Sequence, residues 1–147
     1  MKKLLGVMVL SLLWCSTSYS NIIMQDLIDA LVETKKPKSI EVANNLKSTS
    51  DNDKSYDLVI RKANLNIKDA KNIATAIKKI DQNKGPQLGT ISMSFNEDLK
   101  DEGVITILNH IPLTTSVIAF VECVSPIKQG RLLLIGLLKL IILTAYI

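Results

Sequence analysis

The chain has 147 residues, 47% of them hydrophobic and 22% charged, with a formal net charge of +4, so it has room for one domain at most. The positive excess sits at the two ends: residues 21–123 hold 13 Lys and Arg against 14 Asp and Glu, and carry no basic stripe of the kind nucleic acid requires. Two cysteines and one histidine supply neither a disulfide framework nor a metal-ligand set, so no cofactor is expected and the fold has to rest on an apolar core or a partner.

Residues 1–20 read as a signal peptide. Lys2 and Lys3 precede the apolar run from Leu4 to Trp14, and Ser18 and Ser20 give small side chains at the two positions a signal peptidase reads. The mature chain is then expected to start at Asn21, in the periplasm or outside the cell. A lipoprotein reading would acylate Cys15, but the bulky Trp14 stands directly before it. Cleavage at Asn21 leaves Cys123 as the single thiol of the mature chain.

Residues 21–47 form an N-terminal helical segment. Ile23, Leu27, Ala30, Leu31 and Thr34 recur at spacings of three and four, which describes an amphipathic helix broken by Pro37. Ser39 is available to cap a second helix with Ile40, Ala43 and Leu46 along one face. The "KKPK" at 35–38 is read as a solvated turn between the two. Residues 48–55 are polar and predict a loop.

From residue 56 onward the pattern repeats. A β-leaning piece with Leu58 and Ile60 leads through Ala63 and Asn64 to a helix with Ala70, Ile73, Ala74, Ile77 and Ile80 on one face. The stretch "LGTISMSFNEDLKDEGVITILNHI" follows the same course, from alternating residues through Asn96 to a helix with Val104, Ile107, Leu108 and Ile111. "NLNIKDAKNIATAI" from Asn64 can be laid over "NEDLKDEGVITIL" from Asn96. A third unit starts at "TTSVIAFVEC", where Ile118, Phe120 and Cys123 fall 27 residues after Ile91, Met93 and Asn96. A recurring strand–turn–helix unit of this length marks a repeat architecture.

"LGTISMSFNEDLKDEG" resembles the leucine-rich repeat of the ribonuclease-inhibitor type over residues 56–123. Leu88, Ile91, Met93, Asn96, Leu99, Asp101 and Gly103 fill the repeat positions, and Ile118, Phe120 and Cys123 begin the next set. The resemblance implies an α/β fold: a short solenoid of parallel strands and helices, in which Asn96 and Cys123 satisfy buried backbone groups at the turn. Ile91 and Met93 point to the core side of their strand, and Gly103 lets the helix begin close to its neighbour. "NEDLKD" is one residue longer than the repeat pattern, and Ala70 stands where the earlier unit would have its Gly.

At residue 124 the composition changes. "VSPIKQGRLLLIGLLKLIILTAYI" has no acidic residue and is apolar on every side. As a membrane segment, the sixteen residues 132–147 would span roughly 24 Å at about 1.5 Å per residue, against a hydrocarbon core of about 30 Å, with Lys139 in the middle. As a frameshifted tail, the same codons read after one inserted base can spell Gly and then "ITDKAGEAIINWASKVNNFNSLY", which restores an Asp, a Gly and an amphipathic helical period. The tail is read as out of frame.

The function expected is that of an exported protein-binding module without catalysis of its own, taking a protein partner, not nucleic acid. Strand residues pointing away from the core are the candidate contacts: Arg61, Thr90, Ser92, Ser94, Ala119, Val121 and Glu122. The bland alternative is an ordinary solvated sheet face. An enzyme reading would use Glu97, Asp98, Asp101 and Glu102, but these share one loop with no nucleophile or phosphate-binding loop beside them. A small membrane-tethered protein, touching the membrane through residues 131–147, is the remaining alternative.

Overall fold

The computed structural model describes residues 22–49 and 53–123. The signal segment with Cys15, the start at Asn21 and the tail 124–147 lie outside the described residues. Within them the chain is a mixed α/β structure, with four helices and a three-stranded parallel sheet in the order β1-β2-β3. In chain order the elements are α1 (Ile22–Glu33), α2 (Pro37–Leu46), β1 (Ser55–Val59), α3 (Ile67–Gln82), β2 (Gln87–Ser92), a 3₁₀ turn (Glu97–Leu99), α4 (Lys100–Leu108) and β3 (Val117–Ala119).

Helix α1 buries Met24, Leu27, Ile28 and Leu31. Its apolar stripe is thus centred one residue further round than the Ile23–Thr34 spacing suggests, and Ile23 and Thr34 are only half-buried. Pro37 occupies the first turn of α2, with Lys36 as the extended residue before it. Proline suits that place because its missing N–H would have no partner there and its φ is already helical. Ser39 is therefore inside the helix and makes no cap; it is fully buried and its hydroxyl has no hydrogen-bond partner.

Helix α3 starts with a capping box. Asn66 Oδ1 accepts from the Asp69 N–H at 3.1 Å, and Asp69 Oδ2 accepts from the Asn66 N–H at 3.0 Å. The same Asp69 carboxylate pairs with Lys36 Nζ at 2.9 Å, tying the entrance of α2 to that of α3. The next helix, α4, packs against α3 where Gly103 faces Ala70: a Cβ at Gly103 would lie 3.4 Å from the Ala70 Cβ. The extra residue of "NEDLKD" is taken up by the 3₁₀ turn and by Lys100 at φ 51°.

The helices cover one side of the sheet. Leu58, Ile60, Ile91 and Met93 are fully buried in a single apolar cluster with Ile73, Ile77, Val104 and Ile107, whereas Asp57, Val59 and Arg61 alternate outward. Burying those apolar side chains between sheet and helices supplies the main driving force, at about 1.5–3 kcal/mol for each. The strand pairing corrects the alignment of the first two units. Leu58 pairs with Ile91 and Val59 with Ser92, an offset of 33, after a register shift between Tyr56 and Asp57. The equivalent of Asn96 is thus Ala63, and Asn64 is exposed.

Candidate binding face

Beyond the assigned ends of the strands, the parallel ladder continues in the same way across both strand pairs. Ile60 N–H donates to Ser92 O at 2.7 Å and Lys62 N–H to Ser94 O at 3.2 Å; Met93 N–H donates to Ala119 O at 3.0 Å and Phe95 N–H to Val121 O at 2.7 Å. Each strand then ends in one left-handed residue, Lys62 (φ 52°), Phe95 (φ 64°) and Glu122 (φ 55°). Side chains other than glycine seldom take that conformation. These three stand directly before Ala63, Asn96 and Cys123, so one left-handed residue recurs at the same place in each unit, and Asn64 (φ 54°) adds a second in the first unit alone.

In the second and third units the residue after the left-handed one holds the turn in place. Asn96 is fully buried and uses its whole amide: Oδ1 accepts from Ala63 N–H at 2.9 Å and Leu65 N–H at 3.1 Å, while Nδ2 donates to Ile60 O and Met93 O at 2.8 Å each. Each of those backbone groups would cost about 1–3 kcal/mol if left buried without a partner. One unit on, the Cys123 thiol donates to Met93 O, with Sγ at 2.9 Å. Burial pushes that thiol's pKa up, which keeps the proton on the donor.

The strand side away from the helices forms an open face. Val59, Val117 and Val121 expose 44%, 50% and 54% of their surface on it. Thr90 and Ala119 lie between them, half-buried, and Arg61 and Glu122 are exposed at the same end of the strands. Lys62 Nζ sits 5.1 Å from the centre of the Phe95 ring, a cation–π contact between corresponding residues of adjacent units.

Two expectations about side chains on the strands need correction. Ser92 and Ser94 are expected in solvent, but they are only 1% and 3% exposed. They do face away from the helices; as short side chains on the central strand they lie below longer neighbours. Ser92 Oγ accepts from Arg61 Nε at 2.8 Å and Ser94 Oγ from Val121 N–H at 3.1 Å. Ile118 is expected at a core position, and it is 46% exposed, because among the described residues no helix follows β3 to cover it. Phe120, also assigned to the core, is half-buried against the apolar cluster. Val59 and Val117 belong to the open face and are absent from the candidate set. Their parity is readable, since each flanks a residue assigned to the core side.

The carboxylates of the "EDLKDE" loop stay apart in role. Glu97 and Asp98 are exposed in the 3₁₀ turn, and Glu102 pairs with Lys71 at 3.0 Å between α3 and α4. His110 Nδ1 lies 2.7 Å from Thr106 O. Among the described residues there is no group of three or more potential ligands that could hold a metal ion, and no helix long and apolar enough to cross a membrane. Comparison with family models, with curated proteins and with solved structures finds no match to the chain.

Proposed function

We propose that the chain is an exported protein-binding module, a short solenoid of leucine-rich-repeat type that engages a protein partner through the open side of its parallel sheet and performs no catalysis itself. The observation that carries this reading is the composition of that side. Three exposed valines, Val59, Val117 and Val121, surround small or tied-down side chains and are flanked by Arg61 and Glu122. The valines stand on the two outer strands around the small polar side chains of β2, with the charged Asp57, Arg61 and Glu122 beside them, and exposed apolar side chains rimmed by charged ones suit a protein contact. The repeated left-handed turns support the repeat reading independently, because one backbone device recurs at Lys62, Phe95 and Glu122. Because Ser92 and Ser94 are buried, the proposed contacts are the three valines, Arg61, Thr90, Ala119 and Glu122.

A photo-crosslinking side chain placed at Val59 or Val121 in the producing cell should yield the same covalent adduct from both positions. The same side chain at Lys78, exposed on α3, should yield none. Adducts from Lys78 alone, or different adducts from the two valine positions, would count against the open face as the contact.

A further inference from the structure

We propose that the helix side of β3, carried by Ile118 and Phe120, is the seat of a further helix encoded by codons 124–147 read in a frame shifted by one base. The inference rests on the repeat reading and adds the occupant of its uncovered end.

The third unit is built like the second as far as Cys123. Ile118 pairs with Ile91 and Ala119 with Ser92, Glu122 takes the left-handed turn, and Cys123 donates to Met93 O as Asn96 donates to Ile60 O, the corresponding carbonyl one unit back. Ile91 and Met93, the residues corresponding to Ile118 and Phe120, are fully buried beneath helices. A branched side chain in that register with 46% of its surface exposed lacks its cover.

The helix that covers the first unit shows what such a cover needs. Helix α3 buries Ala70, Ile73, Ala74, Ile77 and Ile80, which follow Ala63 by seven, ten, eleven, fourteen and seventeen residues. In the second unit Gly103 follows Asn96 by seven, and it meets Ala70 at the close contact between helices. In the shifted reading the same offsets from Cys123 spell Gly, Ile, Ile, Ala and Val. The polar positions are independent of codon choice. The junctions Leu134–Ile135, Leu140–Ile141 and Ile141–Ile142 each yield a codon ending in A-T, which encodes only Asn, Asp, His or Tyr. The junction Leu138–Lys139 yields one ending in A-A, which encodes Lys, Gln, Glu or a stop. Those residues fall twelve, eighteen, nineteen and sixteen places after Cys123, two between the apolar offsets and two just past the last of them. A helix with that binary pattern presents one apolar stripe to the sheet.

The native coding DNA is to be expressed in full twice, as it stands and with one G inserted after codon 123, each carrying Ile118→Cys. The introduced thiol should react with a maleimide at least about tenfold more slowly in the inserted form, because the helix covers it. Lys78→Cys should react equally in both. Without any substitution, the inserted form should gain helical circular dichroism and thermal stability. Equal labelling at position 118, no gain in helix, or a stop codon within the first turn of the shifted frame would overturn the proposal. Protection at position 118 together with no crosslink from Val59 or Val121 supports the helix and sinks only the binding reading.

Discussion

Asn96 concentrates more of the fold in one side chain than any other described residue. Its amide closes the gap between two turns by serving two backbone N–H groups of one unit and one carbonyl from each of two units. Asn96→Ala should therefore cost about 3 kcal/mol or more, measured by urea unfolding, since several buried backbone groups lose their only side-chain partner. Tyr56 gives a second test. It is buried on β1, and desolvation, followed by the nearby Asp81 charge, pushes its phenol pKa far above the ordinary value. Above about pH 10 the unfolded chain loses the phenol proton while the folded chain keeps it, so stability is complete below that pH and falls above it by up to about 1.4 kcal/mol per pH unit. Tyr56→Phe should flatten that alkaline decline in a pH series of unfolding midpoints; an unchanged slope would mean the phenol is not buried. At this scale the sequence points to Asn96 through its place after an alternating stretch. It carries no sign of Ser92 and Ser94 being buried, because shielding by Arg61 and by neighbouring strands depends on sheet order.

At the scale of elements, the periodicity of α3 and the alternation of β1 and β2 are legible, since burial on one side of a helix or sheet writes itself into residue order. The offset between the first two units is not. The shared Asn at 64 and 96 favours an offset of 32, whereas the register shift beside Gly89 makes it 33 through most of the ladder. A bulge leaves no mark in apolar periodicity beyond a glycine, and turns and close backbone approaches use glycine as well. The junction from α3 to β2 is equally tight. Gly85 N–H donates to Ile80 O at 3.0 Å, and a Cβ at Gly85 would lie 2.6 Å from Ile23 Cγ2 and 2.9 Å from Ile80 Cγ2. Gly85→Ala should accordingly destabilise the fold by about 1–3 kcal/mol through overpacking between α1 and the end of α3. A thermal melt equal to that of the parent would show that the α1 side chains move aside freely.

The described residues are arranged asymmetrically, with helices on one side of a short parallel sheet, a valine-bearing face on the other, and an edge strand whose helix side they leave uncovered. Sequence reading reaches the mixed α/β class and the three strands, because those follow from local pattern. It leaves Val59 and Val117 out of the contact set, although their alternation with Leu58, Ile60 and Ile118 already puts them on the outer side of their strands. The function proposed depends on the three units sharing one geometry, and that can be measured bond by bond. Scalar couplings across hydrogen bonds, recorded by NMR on the labelled full chain, should connect Ile60 N to the Ser92 carbonyl, Lys62 N to Ser94, Met93 N to Ala119 and Phe95 N to Val121. Couplings across the first pair of strands with none across the second, or amides joined to other carbonyls, would contradict a third unit in register and with it the continuous face.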